Sequence, residues 1–557
     1  MIHKIKTTTS KISAIIPREK HSRLLWFLLK NILFGILDLI SIAYLIPIVM
    51  LLFDARTFES IATQFPFFKV LLSEIPLKVF ALFFILFYFI KIIIQTKFNT
   101  ALYVFLYELS TDLSIENTNS FINESFIQHQ NINKGSVLQN VTNVPEDFSI
   151  RYLLSILNLI TESIVLSILV SALLFLYFKI TLMAILVLSF FALFIYFTKQ
   201  KQMTIINSIY LKTQTKSNAA LLNLLDGYLE IKNSGHYAFF LEKFRKEKAL
   251  LNDVTGKLVS YNANYAKYLE IVLIVSVVGF VIFNFEDKNT VIIISVLGAS
   301  SLRLIPSISR ILNALTLMKS YRYAVDILSK NSNKTAIKAQ HNTFESSIKL
   351  ENIYFSYDEN RILNDINLTI EKGSFIGVKG DSGVGKTTLL YLILGIIQPE
   401  KGSFYFDDLK MENTDFLSFA SYVPQQPFLF NGTIIDNIVM GQNPAAIDYD
   451  YIAYLCQKLE LDNVIKKMTN QYQTEITHES LRFSGGQKQR LALVRALYTR
   501  PSLLILDETT NQQDKELENK IFTFLKELNA NQKLTIICVS HNPAIDAFFD
   551  SIYEIKN

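Results

Sequence analysis

Cysteine is nearly missing: Cys456 and Cys538 are the only two in 557 residues. A disulfide framework is therefore excluded, and a reducing compartment is implied. No internal repeat with a period of roughly 20–50 residues is present, so no repeat architecture is expected. Excess charge is also small. The net value is +5, and its basic part is crowded at the start, where Lys4, Lys6, Lys11, Arg18, Lys20 and Arg23 precede the first long apolar stretch. Such a run could serve as a nucleic-acid-binding arm, but it leads directly into an apolar segment, so no nucleic-acid partner is expected. The same run places the N-terminal end in the cytoplasm by the positive-inside rule. The apolar segment is too long for a cleavable signal peptide, and no small-residue cleavage site follows it.

Apolar residues, by contrast, are abundant. They make up 50% of the chain, 43 of them Phe, and mean hydropathy is +0.29. These values suit a chain with several membrane spans followed by a soluble part. Hydropathy marks six candidate spans, at residues 24–53, 78–98, 149–178, 180–198, 269–285 and 290–318. Each approaches or exceeds the ~20 apolar residues needed to cross ~30 Å of hydrocarbon. An even number of spans returns the chain to the side on which it began. The connections 99–148 and 199–268 are long, polar and helically patterned, and both fall on the cytoplasmic side. Their tips, near residues 140–147 and 226–235, are expected to dock on the soluble domain.

The stretch KNSNKTAIKAQHNTFESS is polar and aperiodic, the mark of a linker. Beyond it, β-type runs (SFIGVKG, SLLILDE, LTIICVS) alternate with helical ones (KTTLLYLILGII, GQKQRLALVRALY), which signals an α/β domain with a largely parallel sheet. The expected organisation is an all-α six-helix transmembrane domain at 1–330, a linker at 331–346 and an α/β P-loop NTPase domain at 347–557.

Residues Gly380, Asp381, Ser382, Gly383, Val384, Gly385, Lys386, Thr387 and Thr388 satisfy G-x-x-x-x-G-K-[ST] between a strand and a helix. Glycines let backbone N–H groups converge on phosphate oxygens, the lysine reaches the β- and γ-phosphates, and the Thr387 hydroxyl suits Mg²⁺. The helix N-terminus adds its dipole to the anion site. Downstream, SLLILDE ends a buried strand on two acids: Asp507 is placed for the Mg²⁺ shell and Glu508 for polarising an attacking water. ATP and Mg²⁺ are thus the expected cofactors.

Ser484, Gly485, Gly486 and Gln487 spell SGGQ between these two motifs, and with them the sequence resembles the ATP-binding cassette (ABC) exporters. The resemblance implies that the serine hydroxyl and glycine N–H groups bind the γ-phosphate held by a second subunit. It also implies that Tyr357 stacks on adenine, that Gln425 is the Q-loop glutamine near the metal and the reaction, that His541 is the switch histidine, and that Asp514 closes the loop after Glu508. Phe483 stands where a leucine usually opens the signature. Asn511, Gln512 and Gln513 replace a small-residue run ending in leucine. One cassette and six spans make half a transporter, so a homodimer in a lipid bilayer is the implied assembly.

Charges inside the spans bear on the cargo. Lys91, Arg303 and Arg310 are basic, with Arg303 and Arg310 on one helix face, while Asp38 and Glu162 are acidic. The bases could bind an anionic headgroup, pair with the acids as a structural network, or reach toward an interface. The segments DLISIAYLIPIVMLLF, FYFIKIII and SLRLIPSISRIL resemble the bacterial lipid-linked oligosaccharide flippases of protein N-glycosylation. That resemblance implies pyrophosphate contacts at Lys91 and Arg303. The expected activity is ATP-driven export or flipping in a bacterial inner membrane, with an amphipathic anionic lipid as cargo. Peptide, lipid or drug export, and a non-pumping ATP-regulated membrane protein, remain the alternatives.

Overall fold

A computed structural model describes residues 10–53, 77–124, 126–127, 133–176, 178–283, 290–331, 344–357, 360–407, 409–410, 419–476, 483–510 and 513–555. Six long helices build the N-terminal unit: α1 (Arg18–Phe53), α2 (Leu77–Ile122), α3 (Leu154–Leu176), α4 (Phe178–Asp226), α5 (Tyr237–Phe283) and α6 (Thr290–Ser320). Each contains or overlaps one expected span. Among the described residues, Arg18–Ser41, Ala81–Ile122 and Lys134–Phe175 are long and apolar enough to cross a membrane. The fifth expected span ends at 285, just outside the described residues.

The helices outrun the bilayer because the polar connections are helical too: at ~1.5 Å per residue, the 46 residues of α2 reach about 70 Å, more than twice the hydrocarbon thickness. Where helix faces must bury apolar surface outside lipid, they pack on each other. Phe105, Leu106 and Leu109 of α2, Val144 and Phe148 before α3, and Ala324 and Val325 of the Arg322–Asn331 helix form one fully buried cluster.

The expected tip at 140–147 is displaced. Those residues belong to a helical rod that runs from Lys134–Leu138 through π-helical turns at Gln139–Asn143 and Asp147–Leu153 into α3. Asp147 is buried there, paired with Arg151 at 3.0 Å and accepting the Tyr323 hydroxyl. Phe126 and Ile127 instead group with the C-terminal unit. The Phe126 ring meets Tyr391 edge-on at 4.7 Å. A turn at Gly227 between α4 and the Tyr228–Ser234 helix falls within the other expected tip, and Gly235, in the left-handed region, caps the far end of that helix.

The C-terminal unit has two main sheets. Strands β1 (Ser347–Tyr357), β2 (Asn360–Glu371), β4 (Lys401–Phe406) and β5 (Leu409–Lys410) form an antiparallel sheet in the order β2-β1-β4-β5. Strands β3 (Phe375–Lys379), β6 (Ala420–Val423), β9 (Leu503–Asp507), β10 (Thr535–Val539) and β11 (Ser551–Glu554) form a wholly parallel sheet in the order β11-β3-β10-β9-β6. A small antiparallel pair, β7 (Gly432–Thr433) and β8 (Glu475–Ile476), lies apart. The central strands β9 and β10 are buried at every position, which is why they read as unbroken apolar runs. Helices α7 (Lys386–Ile393), α8 (Gly485–Tyr498) and α9 (Lys515–Gln532) complete the parallel layer. The unit boundary after Thr335 falls inside the expected linker, most of which lies outside the described residues.

Candidate ATP site

The carboxyl ends of parallel strands are where such sheets hold ligands, and the motif residues collect there. The Gly380–Gly385 turn leaves β3 and opens α7. Gly383 and Gly385 have φ of +84° and +101°, and a Cβ on Gly385 would lie 2.8 Å from the Ile362 side chain. Only glycine takes this turn without strain. The Lys386 ammonium is buried and donates to the carbonyls of Gly380 and Asp381 at 2.9 and 3.0 Å, so the lysine braces the loop it belongs to. The Tyr357 phenol hydrogen-bonds Thr388 and its ring meets Phe355 edge-on at 4.9 Å, beside this loop.

Asp507, the last residue of β9, accepts the Thr387 hydroxyl at 3.0 Å and the Tyr422 hydroxyl at 3.1 Å, both on Oδ2. Burial pushes its carboxyl up, while these two hydrogen bonds and Lys386 pull it down. A hydroxyl and a carboxylate converging beside a phosphate loop are the hard oxygen donors Mg²⁺ selects, so the residues present fit that ion.

Glu508 has φ of +50°, a strained setting for a non-glycine residue that turns its carboxylate out of the strand. Its Oε2 accepts the Gln425 amide at 2.7 Å, and its Oε1 lies 3.1 Å from His541 Nε2. Residues from after β6, β9 and β10, 116 positions apart at the extremes, thus meet on one carboxylate.

Ser484 and its neighbours do not join this cluster. Ser484 is the N-cap of α8, in a reciprocal capping box with Gln487. The buried face of α8 belongs to the apolar cluster around Leu491, Val494 and Leu455, whereas α7 belongs to the other cluster, around Leu389 and Leu390. Phe483 is buried in the α8 cluster, so an aromatic ring there fills core volume. Asp514 caps α9 by accepting the Leu517 N–H at 2.8 Å.

Two polar contributors, Tyr422 and Gln489, were not singled out by motif, and Gln513 was noted only as a departure from the exporter pattern. Tyr422 sits in the strand text ASYVPQQ, where its alternation with buried Val423 was the one available signal. Gln489 donates to the Gln425 carbonyl at 3.3 Å. Gln513 donates to the Gly486 carbonyl at 2.8 Å. Asn511 and Gln512 lie outside the described residues.

Residues 363–511 match the ABC transporter family. The match lies wholly within the C-terminal unit. A probable ABC transporter ATP-binding/permease protein of Haemophilus influenzae is 27% identical over 352 residues, 61% of this chain and 63% of that one. The mesentericin-Y105 transport/processing ATP-binding protein MesD of Leuconostoc mesenteroides is 35% identical over 239 residues, 42% of this chain and 32% of that one. The chain therefore spans less than two thirds of either relative. A solved bacterial Atm1-family ABC exporter with ATP bound shares the fold at a TM-score of 0.79 and 17% identity, covering 97% of this chain and 93% of that one. A helical membrane domain followed by an ABC ATPase domain is the architecture of this chain.

The intramembrane charges form a second constellation. Lys91 bonds Asp38 at 2.7 Å and the Ser41 hydroxyl at 2.9 Å, with its side chain 5% exposed. Arg303 reaches Asp38 and Glu162, both at 3.4 Å, and Glu162 also accepts Arg310 at 2.5 Å and Ser307 at 2.7 Å. Lys91 is thus paired with internal partners, the structural-network alternative among the three readings of these bases. Arg310 keeps 52% of its side chain exposed, and Arg303 Nε is buried without a hydrogen-bond partner.

Proposed function

We propose that two copies of this chain form an ATP-driven exporter or flippase in a bacterial inner membrane. The observation that carries this reading is the division of one ATP site's parts between α7 and α8 of the same domain. The Walker loop, Asp507, Glu508, Gln425 and His541 converge, while the SGGQ turn opens a helix in a different packed cluster. A second copy supplies the missing wall, and a symmetric dimer satisfies both sites at once.

Within each site the backbone N–H groups of the 380–385 turn and the Lys386 ammonium bind phosphate oxygens. Thr387 and Asp507, with Gln425 beside them, hold Mg²⁺, which screens phosphate charge when bound. Tyr357 flanks the base. The Glu508 carboxylate, oriented by Gln425 and His541, accepts a proton from the attacking water. Glu508→Gln removes that acceptor and is expected to cut ATP hydrolysis in proteoliposomes at least ~10²-fold while nucleotide still binds. Unchanged turnover overturns the reading in favour of a non-pumping, ATP-regulated membrane protein.

For the cargo we infer an amphipathic molecule with an anionic group, a lipid-linked oligosaccharide being the finer assignment. Support comes from the surplus positive charge of the buried cluster, three bases against two acids, and from the exposed half of Arg310. Flipping of a fluorescent lipid-linked oligosaccharide by wild type, and its loss in Arg303→Ala and Arg310→Ala, tests this. Similarity to MesD favours a second reading, peptide export, which peptide-stimulated ATPase activity without lipid flipping would establish.

A further inference from the structure

Strands β9 and β10 pair as far as Asp507 and Val539. Among the described residues, the Glu508 N–H on the Val539 carbonyl at 3.1 Å is the last main-chain bond between these two stretches of chain. Main-chain pairing ceases there, yet the Glu508 and His541 side chains lie within one hydrogen bond of each other, at 3.1 Å. The His541 side chain is half-exposed, so packing does not hold it.

A buried carboxylate supplies the hold. Glu518 lies near the start of α9 and is 5% exposed. Its Oε1 accepts the hydroxyl of Thr510, two residues after Glu508, at 2.7 Å. Its Oε2 accepts the side-chain amide of Asn542, the residue after His541, at 2.6 Å. Asn542 fits one way round only, because its Oδ1 accepts the Ala544 N–H at 3.0 Å and so leaves Nδ2 for the carboxylate. The Asn542 N–H in turn donates to the Ser540 hydroxyl oxygen at 3.0 Å. A closed ring results, running from Glu508 along the chain to Thr510, then to Glu518, to Asn542, back one residue to His541, and across to Glu508. Every step is one hydrogen bond or at most two residues of described chain.

A carboxylate is an expensive way to fill buried space, since an apolar side chain of similar volume carries no desolvation penalty. Among the described residues no basic side chain pairs with Glu518. Two neutral donors and the positive end of α9 are what meet its charge. Both oxygens are committed to the chain neighbours of the two groups that flank the attacking water.

We propose that Glu518 is a positioning residue for ATP hydrolysis, setting the spacing of Glu508 and His541 through Thr510 and Asn542. The inference rests on the reading above, in which Glu508 accepts the proton of the water with His541 beside it. It concerns one site and one chain.

Glu518→Leu keeps comparable bulk and removes both acceptors. Glu518→Gln keeps both links, because its carbonyl oxygen accepts from Asn542 and its amide donates to the Thr510 oxygen. Both variants are measured in the full-length chain in nanodiscs, with ATPase rate followed against ATP concentration and binding of a fluorescent ATP analogue followed separately. In Glu518→Leu kcat is expected to fall about tenfold or more, the cost of a misplaced reacting group, while KM and analogue affinity stay within about twofold of wild type. Glu518→Gln is expected to keep about half or more of wild-type kcat. General loosening of the domain would move affinity and kcat together, whereas positioning moves kcat alone. Wild-type kcat in Glu518→Leu overturns the inference. So does an equal loss in the Leu and Gln variants, or analogue affinity that falls in step with kcat. If Glu518→Leu does not fold, Thr510→Val and Asn542→Leu each cut one arm of the bridge. Each is expected to lower kcat about threefold, and wild-type kcat in both overturns the inference. Glu508→Gln separates the two levels: inactive beside an unaffected Glu518→Leu, it sinks this inference alone, whereas an active Glu508→Gln sinks the ATP-site reading itself.

Discussion

Replacing Glu162 by glutamine takes one negative charge from a cluster that already has a positive surplus. The wild-type group holds Lys91, Arg303 and Arg310 against Asp38 and Glu162, and the substitution leaves three bases facing Asp38 alone. Arg303 suffers most: its side chain is 8% exposed, and Asp38 at 3.4 Å, already shared with Lys91, becomes its one remaining acid. Breaking a buried pair from one side costs about 3–5 kcal/mol, because the stranded charge stays desolvated. Arg310 is half-exposed and recovers solvation, so the lower end, about 3 kcal/mol, is expected. At roughly 2 °C per kcal/mol for a domain of this size, the thermal midpoint falls by about 6 °C. Fluorescence-detected size exclusion after stepwise heating in detergent measures it. Arg310→Gln alone is expected to cost less than ~1 kcal/mol, since Glu162 keeps Arg303 and Ser307 and the lost partner was partly in water. The double variant Glu162→Gln/Arg310→Gln restores the wild-type charge balance and should regain at least half of the lost midpoint. A single Glu162→Gln within 1 °C of wild type would refute the buried network, and an Arg310→Gln loss of equal size would refute the ranking.

Tyr422→Phe deletes one of two hydroxyls on Asp507 Oδ2. It is expected to shift the Mg²⁺ concentration for half-maximal ATPase activity by about threefold or more, with Mg²⁺-free nucleotide binding unchanged. Asp514→Ala uncaps α9 and is expected to cost about 1 kcal/mol in the denaturation midpoint of the folded domain. Burial pushes the Cys456 thiol up to about 11 and the Cys538 thiol also upward. A raised value keeps the neutral thiol through pH 8, so maleimide should label neither cysteine in native protein at that pH and both after denaturation in SDS.

Local text was enough for everything that depends on a short span of chain. The six helices, the alternation of strands and helices, the Gly380–Thr388 turn and the strand that ends on Asp507 and Glu508 all follow from patterns a few residues long. Their physics is local: helical period, glycine torsion, a strand that ends on two acids. The helices run past the apolar spans, because hydropathy reports where lipid stops while hydrogen bonding carries the helix on into water, as the helical patterning of 99–148 and 199–268 indicated. The π turns at Gln139–Asn143 and Asp147–Leu153 left no mark that could distinguish them from a surface tip, since Asp147 reads as polar until Tyr323 and Arg151 are brought to it.

Only the tertiary structure decided which partner each polar group takes. The sequence by itself supplied three bases and two acids at membrane depth, and could not say that Lys91 is consumed by Asp38 and Ser41 while Arg310 keeps an open half. It supplied a glutamine in place of leucine at 513, and could not say that the amide reaches back 27 positions to Gly486. Charge and hydrogen-bond capacity are properties of a residue type and can be read from the text. Their satisfaction depends on distances between segments far apart in the chain, which are fixed when the sheet and helices pack.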